Sequence, residues 1–177
     1  MPRMDIDAID LRLLELLQEN GRLTNVELAQ RVGLSPSPCW RRLQRLESSG
    51  LVKGYGAVLD RRRIGLGIMA FVSVVIESHS EAEAKAFEAA VQNLPEIVAC
   101  HSISGQADFI LQVLAEDMDT YADFAMNVIR RLPGIKAMHT SFALKEVKAS
   151  TFLPLRRLGA SGAGRAPRQR RRARKHK

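Results

Sequence analysis

The sequence predicts an α+β chain: an N-terminal (winged) helix-turn-helix domain, then a C-terminal ferredoxin-like β-α-β-β-α-β domain. Three observations predict it. Apolar residues recur at helical spacing between Ile9 and Leu46, interrupted at short intervals by turn residues. Past Met69, β-branched runs alternate with two further helical stripes. The charge also changes sign between the parts: residues 1–65 hold eleven basic and eight acidic side chains, residues 66–155 six and eleven. A third part, residues 156–177, holds ten Lys/Arg and no acid, and the 177-residue chain carries +8 overall. The expected division is 1–50 for the helices, 51–67 for a strand or hinge linker, 68–155 for the second domain, and 156–177 for a disordered basic tail.

The first helix is expected from Asp7 to about Asn20, with Ile9, Leu13, Leu16 and Leu17 on one side and Asn20-Gly21 suited to a left-handed cap. Thr24 and Glu27 have the spacing of a capping box, with Leu23 and Leu28 placed for a hydrophobic staple. Gly33 stops this second helix. Ser35-Pro36 opens a third, Ser as cap and Pro at the first position. Pro38 is tolerated because first-turn N–H groups have no partner within the helix. Two helices joined by a short Gly turn make a helix-turn-helix.

At about 100° per residue, Cys39, Leu43 and Leu46 form the buried stripe of the third helix. Ser37, Arg41, Gln44, Arg45 and Ser48 fall opposite. That face carries guanidinium forks for guanine edges or phosphates and an amide for adenine. Ser35 and Ser37 add small hydroxyls near the helix N-terminus, and Arg42 on the flank is placed to touch phosphate. The expected DNA-binding set is Ser35, Ser37, Arg41, Arg42, Gln44 and Arg45; a solvated basic face is the plain alternative. Trp40 lies between the two faces and is expected to pack on the first helix rather than rest on a sugar-phosphate backbone. Cys39 is expected to be a small core residue. Leu51 to Leu59, with two glycines, reads as a small wing or a strand linker leading away from the helices.

In the second domain, Met69–Ile76 is a buried strand and Ser80 caps a helix with Ala84, Phe87, Val91 and Leu94 on one stripe. Strands follow at Ile97–Ser104 and Asp108–Leu114, joined by Gly105-Gln106-Ala107. Asp119 is expected to cap a second helix whose inner side holds Tyr121, Phe124, Val128 and Leu132. A fourth strand is expected from about Lys136 to Lys148. This order puts both helices on one sheet face, and the other face calls for a subunit partner.

Leu34-Ser-Pro-Ser-Pro-Cys-Trp-Arg-Arg-Leu-Gln-Arg-Leu46, then Gly50 to Tyr55, resembles the leucine-responsive/asparagine-synthesis regulator (Lrp/AsnC) family. So does Cys100 a few residues before Gly105-Gln-Ala-Asp108. The resemblance spans roughly Asp5 to Phe152; Trp40 and the long basic tail depart from the pattern. It implies a transcription factor that binds double-stranded DNA as a homodimer, assembles into tetramers or octamers, and takes an amino-acid effector where sensor domains meet. The implied effector pocket lies at the turn between the second and third strands. Ser104, Gly105 and Gln106 would bond the zwitterion, Asp108 would hold its ammonium, and Thr140 or Ser141 would complete the wall. A Gly turn capped by an Asp is the structural alternative.

Other classes find less support. His79, His101, His139 and His176 show no metal-ligand spacing, and phosphate-loop, dinucleotide and nucleophile-elbow motifs are missing, so no cofactor, metal or enzymatic activity is expected. A sirohaem-decarboxylase-like enzyme on the same architecture would use His101 and His139, and a stand-alone effector sensor would lack DNA binding. No apolar run reaches the ~18 residues of a membrane span and no secretory signal is visible. Two distant cysteines fit a reducing compartment, so a cytoplasmic, nucleoid-associated location is expected.

Overall fold

The structure, a computed structural model, describes residues 5–77, 80–150 and 152–155. The basic tail from Arg156, together with His79 and His176, lies outside the described residues. The chain forms two compact units, one built on the chain up to Ala57 and rejoined at Ser150, the other Val58–Ala149.

The first unit holds α1 (Ala8–Glu19), α2 (Asn25–Val32) and α3 (Pro36–Ser48). Asp7 caps α1 in a capping box with Asp10, and Thr24 caps α2 in one with Glu27. Gly33 takes the left-handed conformation (φ 70°) that ends α2, a conformation a Cβ would strain. Asn20 does not: it is extended, and its side chain instead accepts from the Arg22 N–H at 3.0 Å, closing the turn without a left-handed residue. Ser35 stands at the cap of α3, but its hydroxyl makes no capping bond; Pro36 starts the helix by its fixed φ. Leu13, Leu16, Leu28, Ala29, Cys39 and Leu46 are buried together. Burial pushes the Cys39 thiol above its ordinary pKa, as befits a core residue.

Residues 51–67 hold no strand, which corrects the strand-linker expectation; residues 61–65 form a turn, closed by the Leu66 N–H donating to the Arg61 carbonyl at 2.8 Å. The linker begins docked on its own unit: Tyr55 donates its hydroxyl to Glu47 of α3 at 2.8 Å. Burial and that carboxylate push the Tyr55 pKa up to about 12. Ser150 and residues 152–155 group with this unit. The Gln18 amide clasps the Leu153 backbone, donating at 3.2 Å and accepting at 2.6 Å, and Leu155 is buried.

The second unit runs β1 (Ile68–Ile76), α4 (Glu81–Val91), β2 (Ile97–Ser102), β3 (Phe109–Ala115), α5 (Met118–Asn127), a short 3-10 turn (Ile129–Arg131) and β4 (Ile135–Phe142). The sheet is antiparallel in the order β2-β3-β1-β4. Alternate residues of β1 and β3 pack under Phe87 and Val91 of α4 and Tyr121 and Ala125 of α5. Three expectations are corrected. Asp117, not Asp119, caps α5, because the chain leaves β3 at Ala115 and its carboxylate reaches the Thr120 N–H at 2.8 Å. The buried stripe of α5 is Tyr121 and Ala125, continued by Ile129 of the 3-10 turn, while the expected Phe124 and Leu132 pack against the core only partly buried. β4 ends at Phe142, where β1 stops pairing with it, well short of Lys148.

Candidate nucleic-acid interface and effector loop

The outer face of α3 divides into three strips around its axis. Along the middle, Ser37, Arg41, Gln44 and Ser48 are exposed, and Gln44 donates to Glu47 at 3.1 Å. On the α1 side, two arginines turn inward to a buried acid. Arg42 donates to Asp7 at 2.6 Å and to Asp10 at 2.9 Å, and Arg45 donates to the other oxygen of Asp10. Asp10 is completely buried, so its charge is balanced by two guanidinium groups rather than by water. The Asp10 backbone N–H and Arg42 hold the Asp7 carboxyl below the usual carboxylate range, and Asp7 and Asp10 push Arg42 up. Arg41, Arg42 and Arg45 still line one shallow basin with Pro38 and Asp7.

On the α2 side stands Trp40, 53% exposed. This corrects the expectation that it packs on the first helix: Arg42 and Arg45 occupy that approach with Asp10. Trp40 borders a groove with Asn25, Pro36, Ser37 and Arg41. Sequence reasoning missed Asp7 and Asp10. A signal existed, since Asp10 lies three and seven residues before Leu13 and Leu17, within the apolar stripe of α1.

In the second unit, residues 103–108 form the loop from β2 to β3. The Ile103 N–H donates to the Asp108 carbonyl at 2.9 Å, and Gly105 has φ 136°, open only to glycine without strain. Asp108 is tied to β1 twice: its N–H donates to Val74 at 2.9 Å, and its carboxylate accepts from the Ile76 N–H at 2.8 Å. Ser104, Gly105 and Gln106 are exposed. Thr140 and Ser141 do not join them within one chain. β4 pairs with β1, which separates it from β3; Thr140 faces the helices, sharing a 2.5 Å hydrogen bond with Tyr121, and Ser141 faces the other way opposite Phe71. His101 and His139 do share the open sheet face, in one rung with Ile110 and Ser73 between them. That places them on opposite edge strands, about 14 Å apart at the usual strand spacing, too far to meet on one atom.

Comparisons with known proteins give the family. A winged helix-turn-helix DNA-binding model matches residues 6–53, and the Lrp/AsnC ligand-binding domain matches residues 69–153. The leucine-responsive regulatory protein of Salmonella typhimurium is 39% identical over 155 residues, covering 88% of this chain and 94% of that one. The chain belongs to the Lrp/AsnC family. It is a DNA-binding transcriptional regulator, with an N-terminal helix-turn-helix and a C-terminal ligand-binding domain. The Rhizobium meliloti leucine-responsive regulatory protein is 38% identical over 146 residues, 82% of this chain and 94% of its own. Among solved structures, a Neisseria meningitidis transcriptional regulator in complex with L-Met has a TM-score of 0.82 at 42% identity, covering 87% of this Lrp/AsnC chain and 99% of that one. An AsnC-family regulator from Agrobacterium tumefaciens has a TM-score of 0.81 at 35% identity, covering 86% and 99%. Among the described residues, no helix is long and apolar enough to cross a membrane, and no three His, Cys, Asp or Glu side chains cluster as a metal site.

Proposed function

We propose that α3 lies in the major groove of an operator with Arg41 as its principal base reader, and that an amino acid bound at the 103–108 loop adjusts the affinity. The carrying observation is the exposed strip of Ser37, Arg41 and Gln44 on a helix whose other arginines are held by Asp7 and Asp10. Arg41 has the reach and the fork for guanine O6 and N7. Ser35 and Ser37 stand at the helix N-terminus, suited to phosphate, and Arg42 and Arg45 offer phosphates whatever hydrogen-bonding capacity Asp7 and Asp10 leave. Arg41→Ala is expected to cost about 1–3 kcal/mol of operator binding with unchanged melting temperature. Equal affinity of variant and parent for a selected operator would refute the assignment.

The effector site takes backbone N–H groups from Ser104, Gly105 and Gln106 for a carboxylate, and the Asp108 charge for an ammonium. Thr140 and Ser141 would contribute from a neighbouring subunit. The L-Met complex of the Neisseria relative supports an amino acid, and makes methionine and leucine the first to test. Asp108→Asn keeps an oxygen for the Ile76 N–H and removes the charge, so calorimetric binding should vanish while the melting curve holds. Retained binding would place the ammonium partner elsewhere.

Homo-oligomerisation follows from the sheet face carrying Phe71, Val75 and Ile110, the face opposite the one on which α4 and α5 pack. Light scattering should find a dimer or larger; a stable monomer at micromolar concentration would refute this. The ten positive charges of residues 156–177 fit a sequence-independent DNA tether. Truncation after Leu158 removes eight of them; if half of those engage phosphate, the log affinity against log salt slope should flatten by roughly 3–4. Identical slopes would make the segment a solubility feature.

A further inference from the structure

We infer that Trp40 reads a thymine methyl group in the operator. The inference rests on the reading of α3 as the groove-entering helix and adds a base-specific residue to it. Trp40 is the one tryptophan of the chain and stands half-exposed in the N-terminal half of α3, the part of a recognition helix that reaches base edges. The indole and the Pro36 ring give one groove an apolar wall, and Ser37, Asn25 and Arg41 also line it. The Asn25 side chain donates to the Pro36 carbonyl at 2.9 Å, fixing the start of α3 to α2 and so fixing the groove. Buried Cys39 beside it anchors the same turn in the core.

The chemistry of the occupant follows from the major groove itself. Base edges there present hydrogen-bond donors and acceptors, and the C5 methyl of thymine is the apolar feature among them. Arg41, one residue on, meets the polar edges; the indole beside it has the matching surface for the methyl. Arg42 and Arg45 stand on the opposite flank with Asp7 and Asp10, so the phosphate-facing charge lies away from Trp40.

The test uses the full chain and a duplex selected by it from a random pool. Each thymine of the footprint is replaced singly by deoxyuridine, which lacks only the methyl. The parent should lose about fourfold in affinity at one or two thymines of each half-site, the worth of one buried methyl group. Trp40→Ala should bind more weakly and show no penalty at those thymines, while Trp40→Phe keeps part of it. Indole fluorescence in the unmodified protein should become less accessible to acrylamide on the operator. An Arg41→Ala control separates the two readings. Normal loss in Arg41→Ala with no uracil penalty in the parent, the same penalty in Trp40→Ala as in the parent, or unchanged quenching would overturn the Trp40 assignment alone. Unchanged binding by Arg41→Ala would instead overturn the placement of α3.

Discussion

The two units of this regulator are held by different physics. The sheet unit buries a long apolar layer, with Val72, Val74, Leu111 and Val113 fully covered and the Phe87 ring tilted against Phe109 at 4.7 Å between ring centroids. Its backbone groups are paired along three antiparallel ladders. The helical unit has a core of six buried side chains and adds polar devices to it: two reciprocal capping boxes and the Asp10 bridge to Arg42 and Arg45. Among the described residues Asp10 is the one buried charge in the molecule. A small core of leucines sets helices together but specifies their rotation poorly. A buried carboxylate met by two forks on α3 permits far fewer arrangements, and α3 is the element whose orientation must match a groove. The sheet needs no such device, because its ladders already fix register.

The largest effect should come from the sheet layer. Phe87→Ala leaves a cavity beneath α4 and should cost about 3–5 kcal/mol by urea unfolding. A loss below 1 kcal/mol would mean the layer collapses to fill the space. The Asp10 bridge should behave asymmetrically. Removing both Arg42 and Arg45 strands a buried carboxylate, at about 3 kcal/mol or more. Asp10→Asn leaves two guanidinium groups already in contact with water and should cost only about 1–2 kcal/mol. Equal costs in the two variants would show that Asp10 is hydrated, and would remove the contrast between the units. Thr24→Ala, which breaks one capping box, should cost about 1 kcal/mol in thermal melts; a null result would leave the leucine core alone in charge of α2.

The smallest effect is one of pH. The folded-state pKa of Asp7 is lowered, so the folded chain binds fewer protons than the unfolded chain between the two values. Its contribution is present at neutral pH and is lost as the pH falls through the depressed value, below about 4. Because Asp7 is half-exposed, the shift is worth little. Asp7→Asn should flatten the acid limb of the stability profile slightly, measured by urea midpoints from pH 7 to pH 3. A steeper limb in the variant would reverse the sign.

The contrast between the units also governs what could be read in advance. The turn chemistry of Thr24, Gly33 and Ser80 acts within four residues, so those helix ends were legible. At the start of α5 the expected cap was Asp119, and the exit of the chain from β3 put Asp117 there instead. The outward strip of Ser37, Arg41 and Gln44 followed from the period of α3 alone, and the open sheet face followed from the order of the elements. Arg45 and Trp40 did not, because their surroundings belong to α1 and α2.

Local periodicity and capping by themselves determined that this chain forms three helices and then a split β-α-β-β-α-β sheet with one face uncovered. Those signals are short-range, set by neighbours three or four residues away or by alternation along a strand. Tertiary structure alone decided that Arg42 and Arg45 turn to a buried Asp10, that Trp40 is left standing in a groove, and that β1 parts Thr140 from the 103–108 loop. The Asp10 bridge and the Asp108 tie join groups more than 30 residues apart, and the Trp40 groove joins α3 to Asn25 of α2, so each role depends on a meeting in space that the local segment does not encode.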